Sequence, residues 1–268
     1  MSSSICISSV YKGRQMTESS RIYRELKQDI VTCTLKPGLS ISEQEMCERY
    51  KASRTPVREA CRKLCSESLM QMIPFRGYSI PSLTIEEYRN LNELQSVVEP
   101  AVAMLAAERA TQEQIKEMET WASYEYHVGQ KNSYYTFLEW NRNFHICIAA
   151  ASRNHAFLDV VRNMQTRLMR YYYLVIVMDA YGPILIEEHQ LLVRAIKAGN
   201  PELARAKAME HIANTNRRSV NVDLRSANYG IGNIDRDEDL SGLLKTPART
   251  ARTKKRLTSP RRPKLLPR

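Results

Sequence analysis

Apolar residues return at helical spacing along most of this chain, and one short stretch near residue 75 alternates instead. From Ser20 onward Ile22, Leu26 and Ile30 recur every four positions, which predicts a short helix ending before Pro37-Gly38. A second helix is predicted over 42–50 and a third over 54–66, separated by Lys51-Ala52-Ser53. Met70-Gln71-Met72-Ile73, a turn from Pro74 to Gly77, and Tyr78-Ser79-Ile80 then carry the pattern of a small hairpin.

Beyond Pro81 and Ser82 long helical patterns take over, at 84–110, 111–129, 131–151, 155–178, 183–198 and 201–216, and no strand pattern interrupts them. Pro183 and Pro201 sit near first-turn positions, where proline is tolerated, and Gly199-Asn200 makes a break. The fold class expected is mainly α: an N-terminal helix-turn-helix with a wing, followed by an all-α helical bundle. The expected division is a disordered Ser-rich N-terminus at 1–18, with Met16 as an alternative start, a winged helix-turn-helix at 19–82, a helical domain at 83–222 and a disordered tail at 223–268.

Charge sharpens that division. Residues 1–82 carry net +5, residues 83–222 net −1 and residues 223–268 net +7, within a total of +11. Lys and Arg gain by releasing counterions from phosphates, so polyanion contacts are expected at the two ends and a different task in the middle. The tail from Lys245 to Arg268 holds ten basic residues and no acidic one, either a solvated extension or an added source of nonspecific DNA affinity. No run of about 18 apolar residues is present to span a bilayer. The first ten residues lack the basic start and continuous apolar region of a secretory signal, and the six cysteines form no C-x-x-C pair. A reducing cytoplasmic location, away from membranes, is expected.

The third helix carries the first candidate chemistry. Val57, Ala60 or Cys61, and Leu64 share one face, whereas Arg54, Arg58 and Arg62 repeat every four residues on another. An Arg stripe on an isolated helix is most often a solvated face. Preceded by two short helices and followed by a wing, it instead suits insertion in a major groove, where Arg bonds guanine O6 and N7 together. Ser53 is the expected N-cap, and Pro56 is tolerated in the first turn.

Residues 20–81 resemble the winged helix-turn-helix of the GntR family of bacterial regulators through Leu35-Lys36-Pro37-Gly38, Leu39-Ser40-Ile41-Ser42-Glu43, Ser53-Arg54-Thr55-Pro56-Val57-Arg58-Glu59-Ala60 and Gly77. The resemblance implies a DNA-binding transcription regulator, not an enzyme, that acts on double-stranded operator DNA as a homodimer, most commonly as a repressor. It implies DNA contacts by Ser53, Arg54, Thr55 and Arg58, and by Arg76 and Gly77 of the wing, Gly77 letting the wing backbone approach the minor groove. Gln44 stands where many relatives have a DNA-touching Arg.

In the middle region three histidines occupy positions where the helical period asks for apolar residues. His145 shares a face with Leu138, Asn141, Ile148 and Ala149; His189 lies in the stripe of Leu185, Leu192, Val193 and Ile196; His211 lies with Ala204, Ala208, Ile212 and Thr215. One such residue is ordinarily a hydrogen-bonded core histidine. Three on separate inward faces suit a first-row divalent metal such as Zn, Ni or Mn. Residues 84–219 resemble the FCD ligand-binding domain of the FadR subfamily, whose metal-binding members use an Asp and three His. Here the pattern is Asn141, His145, His189 and His211, and Asn141 replaces the carboxylate with a weaker neutral ligand. The resemblance further implies a small effector, an organic or sugar acid. Gln95 stands where an Arg often meets that acid's carboxylate, and Asn163 and Arg167 are further candidate effector contacts.

Two rival readings remain: a regulator that senses the metal itself, and a helical metal-dependent hydrolase using the three histidines with Glu188 as base. The hydrolase reading leaves the basic third helix without a purpose. Cys61 and Cys65, one turn apart, are read as core fillers ahead of a thiol switch. Of Tyr171, Tyr172 and Tyr173, only one or two are expected to face inward, the rest being available for a dimer contact.

Overall fold

A computed structural model describes residues 17–124, 131–178 and 182–220. The expected disorder of the basic tail, and most of the Ser-rich start, lie outside these residues. Thr17 and Glu18, read as part of that start, are ordered: α1 (Glu18–Val31) begins at Glu18, with the Thr17 side chain accepting from the Ser20 N–H as its cap.

α2 (Glu43–Tyr50) opens with a capping box. Ser42 Oγ accepts from the Glu45 N–H, and the Glu45 carboxylate accepts from the Ser42 N–H. It ends at Lys51, whose left-handed backbone turns the chain into α3 (Arg54–Ser66). Ser53 occupies the N-cap of α3, but its side chain makes no capping bond, so that expectation is corrected. The hairpin of β2 (Gln71–Ile73) and β3 (Gly77–Ser79) matches the reading at residues 70–80. A two-residue strand that the pattern does not reveal, β1 (Ser40–Ile41), pairs antiparallel with β3 and makes it the central strand. Ile22, Leu26, Ile30, Met46, Val57, Leu64, Tyr78 and Ile80 close one apolar core beneath these elements. The apolar stripes of α1 and α3 and the hairpin bury one another, as three short elements must to be stable.

The remaining helices are α4 (Ile85–Arg109), α5 (Gln112–Trp121), α6 (Lys131–Ala151), α7 (His155–Met178), α8 (Gly182–Lys197) and α9 (Pro201–Val220). α5 stops at Trp121, short of the end expected near residue 129. α4 runs through the middle of this bundle, against α6, α7, α8 and α9. Its buried residues therefore include Tyr88, Leu91, Asn92, Gln95, Glu99, Val102 and Ala106, more than a single apolar stripe. Polar residues in that set need partners inside the bundle, and this is what places chemistry at its centre.

Tyr171, Tyr172 and Tyr173 are all buried, correcting the expectation that one or two would face outward. Their hydroxyl groups reach partners: Tyr171 donates to Glu87 at 2.8 Å and Tyr172 to Gln95 at 3.2 Å. Burying a tyrosine is affordable once its hydroxyl is bonded. The five cysteines among the described residues are free thiols. Burial pushes the Cys61 thiol up to about 12, which leaves it protonated and unreactive.

Candidate DNA interface and histidine cavity

The basic face of α3 and the wing form the two walls of a groove. Arg54, Arg58 and Arg62 line it from the helix, Gln44 from α2, and Arg76 and Gly77 from the hairpin. The guanidinium of Arg58 is already oriented: its Nε donates to both carboxylate oxygens of Glu43, at 2.8 and 2.9 Å. The hydrogen bond from Arg58 holds the Glu43 carboxyl below the usual carboxylate range. Thr55 lies exposed in the first turn of α3, beside Arg54.

Gly77 has a purpose within the fold besides the expected one. Its φ is +108°, and a Cβ there would stand 2.6 Å from the Ile41 carbonyl oxygen and 2.8 Å from the Ser42 Cα. Glycine is required by the close approach of β1 to β3, whether or not DNA comes near.

The three histidines converge from three helices: His145 on α6, His189 on α8 and His211 on α9. One ring nitrogen from each lies within 4.8 Å of the others, and all three side chains are buried. Outer nitrogens are held by carboxylates. His145 Nδ1 is 3.0 Å from Glu99 Oε2, and His211 Nδ1 is 2.8 Å from Glu188 Oε2. A carboxylate at Nδ1 fixes the proton there and leaves the Nε2 lone pair facing inward, the arrangement found behind metal-bound histidines. His189 stacks on Phe144 at 4.1 Å, and its Nε2 is buried with no hydrogen-bond partner among the described residues. Burial, reinforced by His211 and His145, keeps His189 well below the ordinary histidine value. The donor set therefore fits a divalent cation: three buried imidazoles, two backed by a carboxylate at Nδ1 and one with an orphaned nitrogen.

A small cavity of about 30 Å³ adjoins this cluster and is lined by Leu138, Asn141, Tyr172, Val175, Leu185 and Arg218, among others. Asn141 thus lies where a further oxygen ligand would be useful. Gln95 sits behind the wall, accepting from Tyr172. Asn163 and Arg167 are not among the lining residues, and Arg167 donates to Glu87 at 2.7 Å instead.

The pattern of residues alone passed over Glu99 and Arg218. Glu99 was signalled by its spacing, since Leu91, Gln95 and Glu99 follow at four-residue intervals on a buried helix and an acid there needs a partner. Arg218 had no such signal, because its place at the cavity depends on the packing of α9 against α8, where its two terminal nitrogens donate to Glu188 at 2.8 Å each. Glu188 also accepts from Asn214 at 2.9 Å. Burial alone raises its pKa, but hydrogen bonds from Arg218 and His211 outweigh that and hold it at about 2. A carboxylate so satisfied is a poor general base, which weighs against Glu188 in the role the hydrolase reading gives it.

Comparison with known proteins agrees with this architecture. Residues 18–80 match the family described as "Bacterial regulatory proteins, gntR family", and residues 90–214 match the FCD domain. The chain is 27% identical over 194 residues to the HTH-type transcriptional repressor RspR of Escherichia coli K12, spanning 72% of this chain and 85% of that one. It is 24% identical over 226 residues to the galactonate operon transcriptional repressor of the same organism, spanning 76% and 97%. Among solved structures, E. coli McbR/YncC shares the fold with a TM-score of 0.60 at 20% identity, covering 77% of this chain and 99% of that one. No helix among the described residues is long and apolar enough to cross a membrane. The chain belongs to the gntR family of bacterial regulatory proteins and is a DNA-binding transcription regulator in which a winged helix-turn-helix precedes an FCD domain.

Proposed function

We propose that this regulator is a cytoplasmic homodimeric repressor whose two α3 helices read the halves of a palindromic operator, and whose grip is set by a small organic acid bound beside a metal in the histidine cavity. The observation that carries the reading is that one helix, α6, serves both ends. It presents Leu138, Asn141 and His145 toward the cavity and the adjacent Glu139 toward the DNA-binding head, where Glu139 pairs with Lys27 of α1 at 2.9 Å. A change in the cavity therefore has a packed route to the head. An effector shifts DNA affinity only by its preference between two arrangements, typically about 1–3 kcal/mol.

In this reading Arg54, Thr55 and Arg58 contact bases or phosphates from the first turns of α3, Gln44 contacts the flank, and Arg76 binds backbone phosphate. His145, His189 and His211 hold the metal, with Asn141 available as a fourth ligand. A bound divalent cation supplies a Lewis-acidic point that accepts an effector's carboxylate. Glu99 and Glu188 fix the ring orientations, and the apolar side chains Leu138, Val175 and Leu185 enclose the effector's body. The sugar-acid class draws support from the galactonate operon repressor, whose name states what its operon concerns.

Genome-wide footprinting of the protein, followed by thermal-shift screening of metabolites from neighbouring pathways on metal-loaded and metal-stripped protein, tests the proposal. Release from recovered sites by an acid that also raises the melting temperature of the loaded form is the expected result. Operator binding that follows metal alone would replace the effector with the ion as the signal, and turnover of the acid would make the protein an enzyme.

A further inference from the structure

The wing ends in a side chain that packing does not explain. In the turn between β2 and β3 the Arg76 N–H donates to the Ile73 carbonyl at 3.1 Å, with Pro74 second and Phe75 third. Phe75 has a φ of +62°, and a turn with Pro second and positive φ third normally takes Gly or Asn at that third position. An aromatic residue held there is under backbone strain. Burial does not offset the strain, because Phe75 is 109% exposed, while Met72 beside it is 60% exposed. The immediate surroundings are cationic: Phe75 lines the same groove as Arg54, Arg58, Arg62 and Arg76. The one acidic residue lining that groove, Glu43, is already paired with Arg58.

We propose that Phe75 is a wedge that enters the minor groove of operator DNA next to the bases read by α3, partly unstacks a flexible pyrimidine–purine step, and so makes the protein select operators carrying that step. The inference rests on the assignment of α3 to the major groove. With α3 seated there, the hairpin lies over the flanking backbone, toward the neighbouring minor groove. Duplex DNA is the occupant that fits an aromatic side chain ringed by guanidinium groups, since the arginines hold phosphates and the ring meets base edges and faces. A second copy of this chain would bring the same positive charge to the contact. Apolar wedges at such places kink duplexes by about 20–90°, and TA and CA steps yield at the lowest cost.

The test uses the full chain and a library of random duplexes. The wild type is expected to enrich a TA or CA step at a fixed spacing from the bases beneath α3, and to bend the enriched duplex as read by energy transfer between end labels. Phe75→Ala keeps the α3 bases, loses the step and most of the bend, and binds the wild-type duplex on the order of tenfold more weakly or worse. Its salt slope is unchanged, because no phosphate contact is removed. Phe75→Trp retains the step. Phe75→Gly melts no lower than the wild type, because glycine suits the positive φ, yet selects as Phe75→Ala does. Should Phe75→Ala and Phe75→Gly enrich the same step and bend DNA as the wild type does, the wedge is wrong. If the wild type enriches no sequence, or Arg58→Ala binds undiminished, it is the α3 assignment that fails, and the wedge fails with it.

Discussion

Lys27 and Glu139 form an ion pair across the junction between α1 and α6, with Nζ and Oε1 2.9 Å apart and the lysine side chain only 4% exposed. Burial drives the Lys27 ammonium below its ordinary pKa. Burial alone raises the pKa of Glu139, but the charges of Lys27 and Arg142 outweigh it and keep that carboxyl ionised. Removing one partner strands the other: Glu139→Gln is expected to cost about 3 kcal/mol in denaturant unfolding. The double change Lys27→Met with Glu139→Met, which removes both charges of the pair together, should recover most of that loss. A fully additive double variant would show that the two residues are not coupled.

Arg58→Ala is expected to weaken binding to recovered operators by about 1–3 kcal/mol and to relax selectivity at one base position. Fluorescence anisotropy across a salt series separates this from Arg62→Ala, which should lower affinity for all duplexes alike. An Arg58→Ala protein that binds its operators as tightly as the parent would falsify the assignment of the reading helix.

The histidine cluster predicts one bound first-row divalent metal per chain, measured by elemental analysis after purification without chelator. His189→Ala should abolish it, since its Nε2 has no other partner among the described residues. Asn141→Asp should raise metal affinity on the order of tenfold by restoring a charged oxygen ligand. Equal metal content in the parent and His189→Ala would place the ion elsewhere.

The metal-free protein should lose stability as pH falls from 7 to 5. Burial lowers the pKa of both His189 and His211, and for His211 it outweighs the hydrogen bond that the ring donates to Glu188, which acts the other way. Both rings therefore stay neutral in the fold while the unfolded chain takes up protons near the ordinary value of 6.5. Stability is present above that value and is lost below it, by up to about 1.4 kcal/mol per pH unit for each ring. Melting temperatures across this range should fall less steeply for His189→Phe; an identical slope would exclude His189 as a contributor.

Gly77→Ala should destabilise the DNA-binding head by about 2 kcal/mol or more, because the added methyl meets the Ile41 carbonyl and the backbone φ is unfavourable for alanine. Circular dichroism melting reads this without DNA. A stable Gly77→Ala protein impaired only in DNA binding would show that the steric reason for glycine is not the one that matters.

Periodicity alone was enough to locate the helices, the hairpin and the basic stripe of α3, because each depends on residues within a turn or two of one another. The same local logic found His145, His189 and His211, each a polar residue on an apolar stripe. Only tertiary structure decided that the three rings meet, that Glu99 and Glu188 stand behind two of them, and that Arg167 goes to Glu87 instead of the cavity. Ring tautomer, carboxylate ionisation and the burial of three successive tyrosines depend on neighbours tens of residues away, brought close by the packing of α4, α6, α7, α8 and α9. β1 escaped notice for the same reason: two residues carry no period, and what makes them a strand is the edge that β3 offers them.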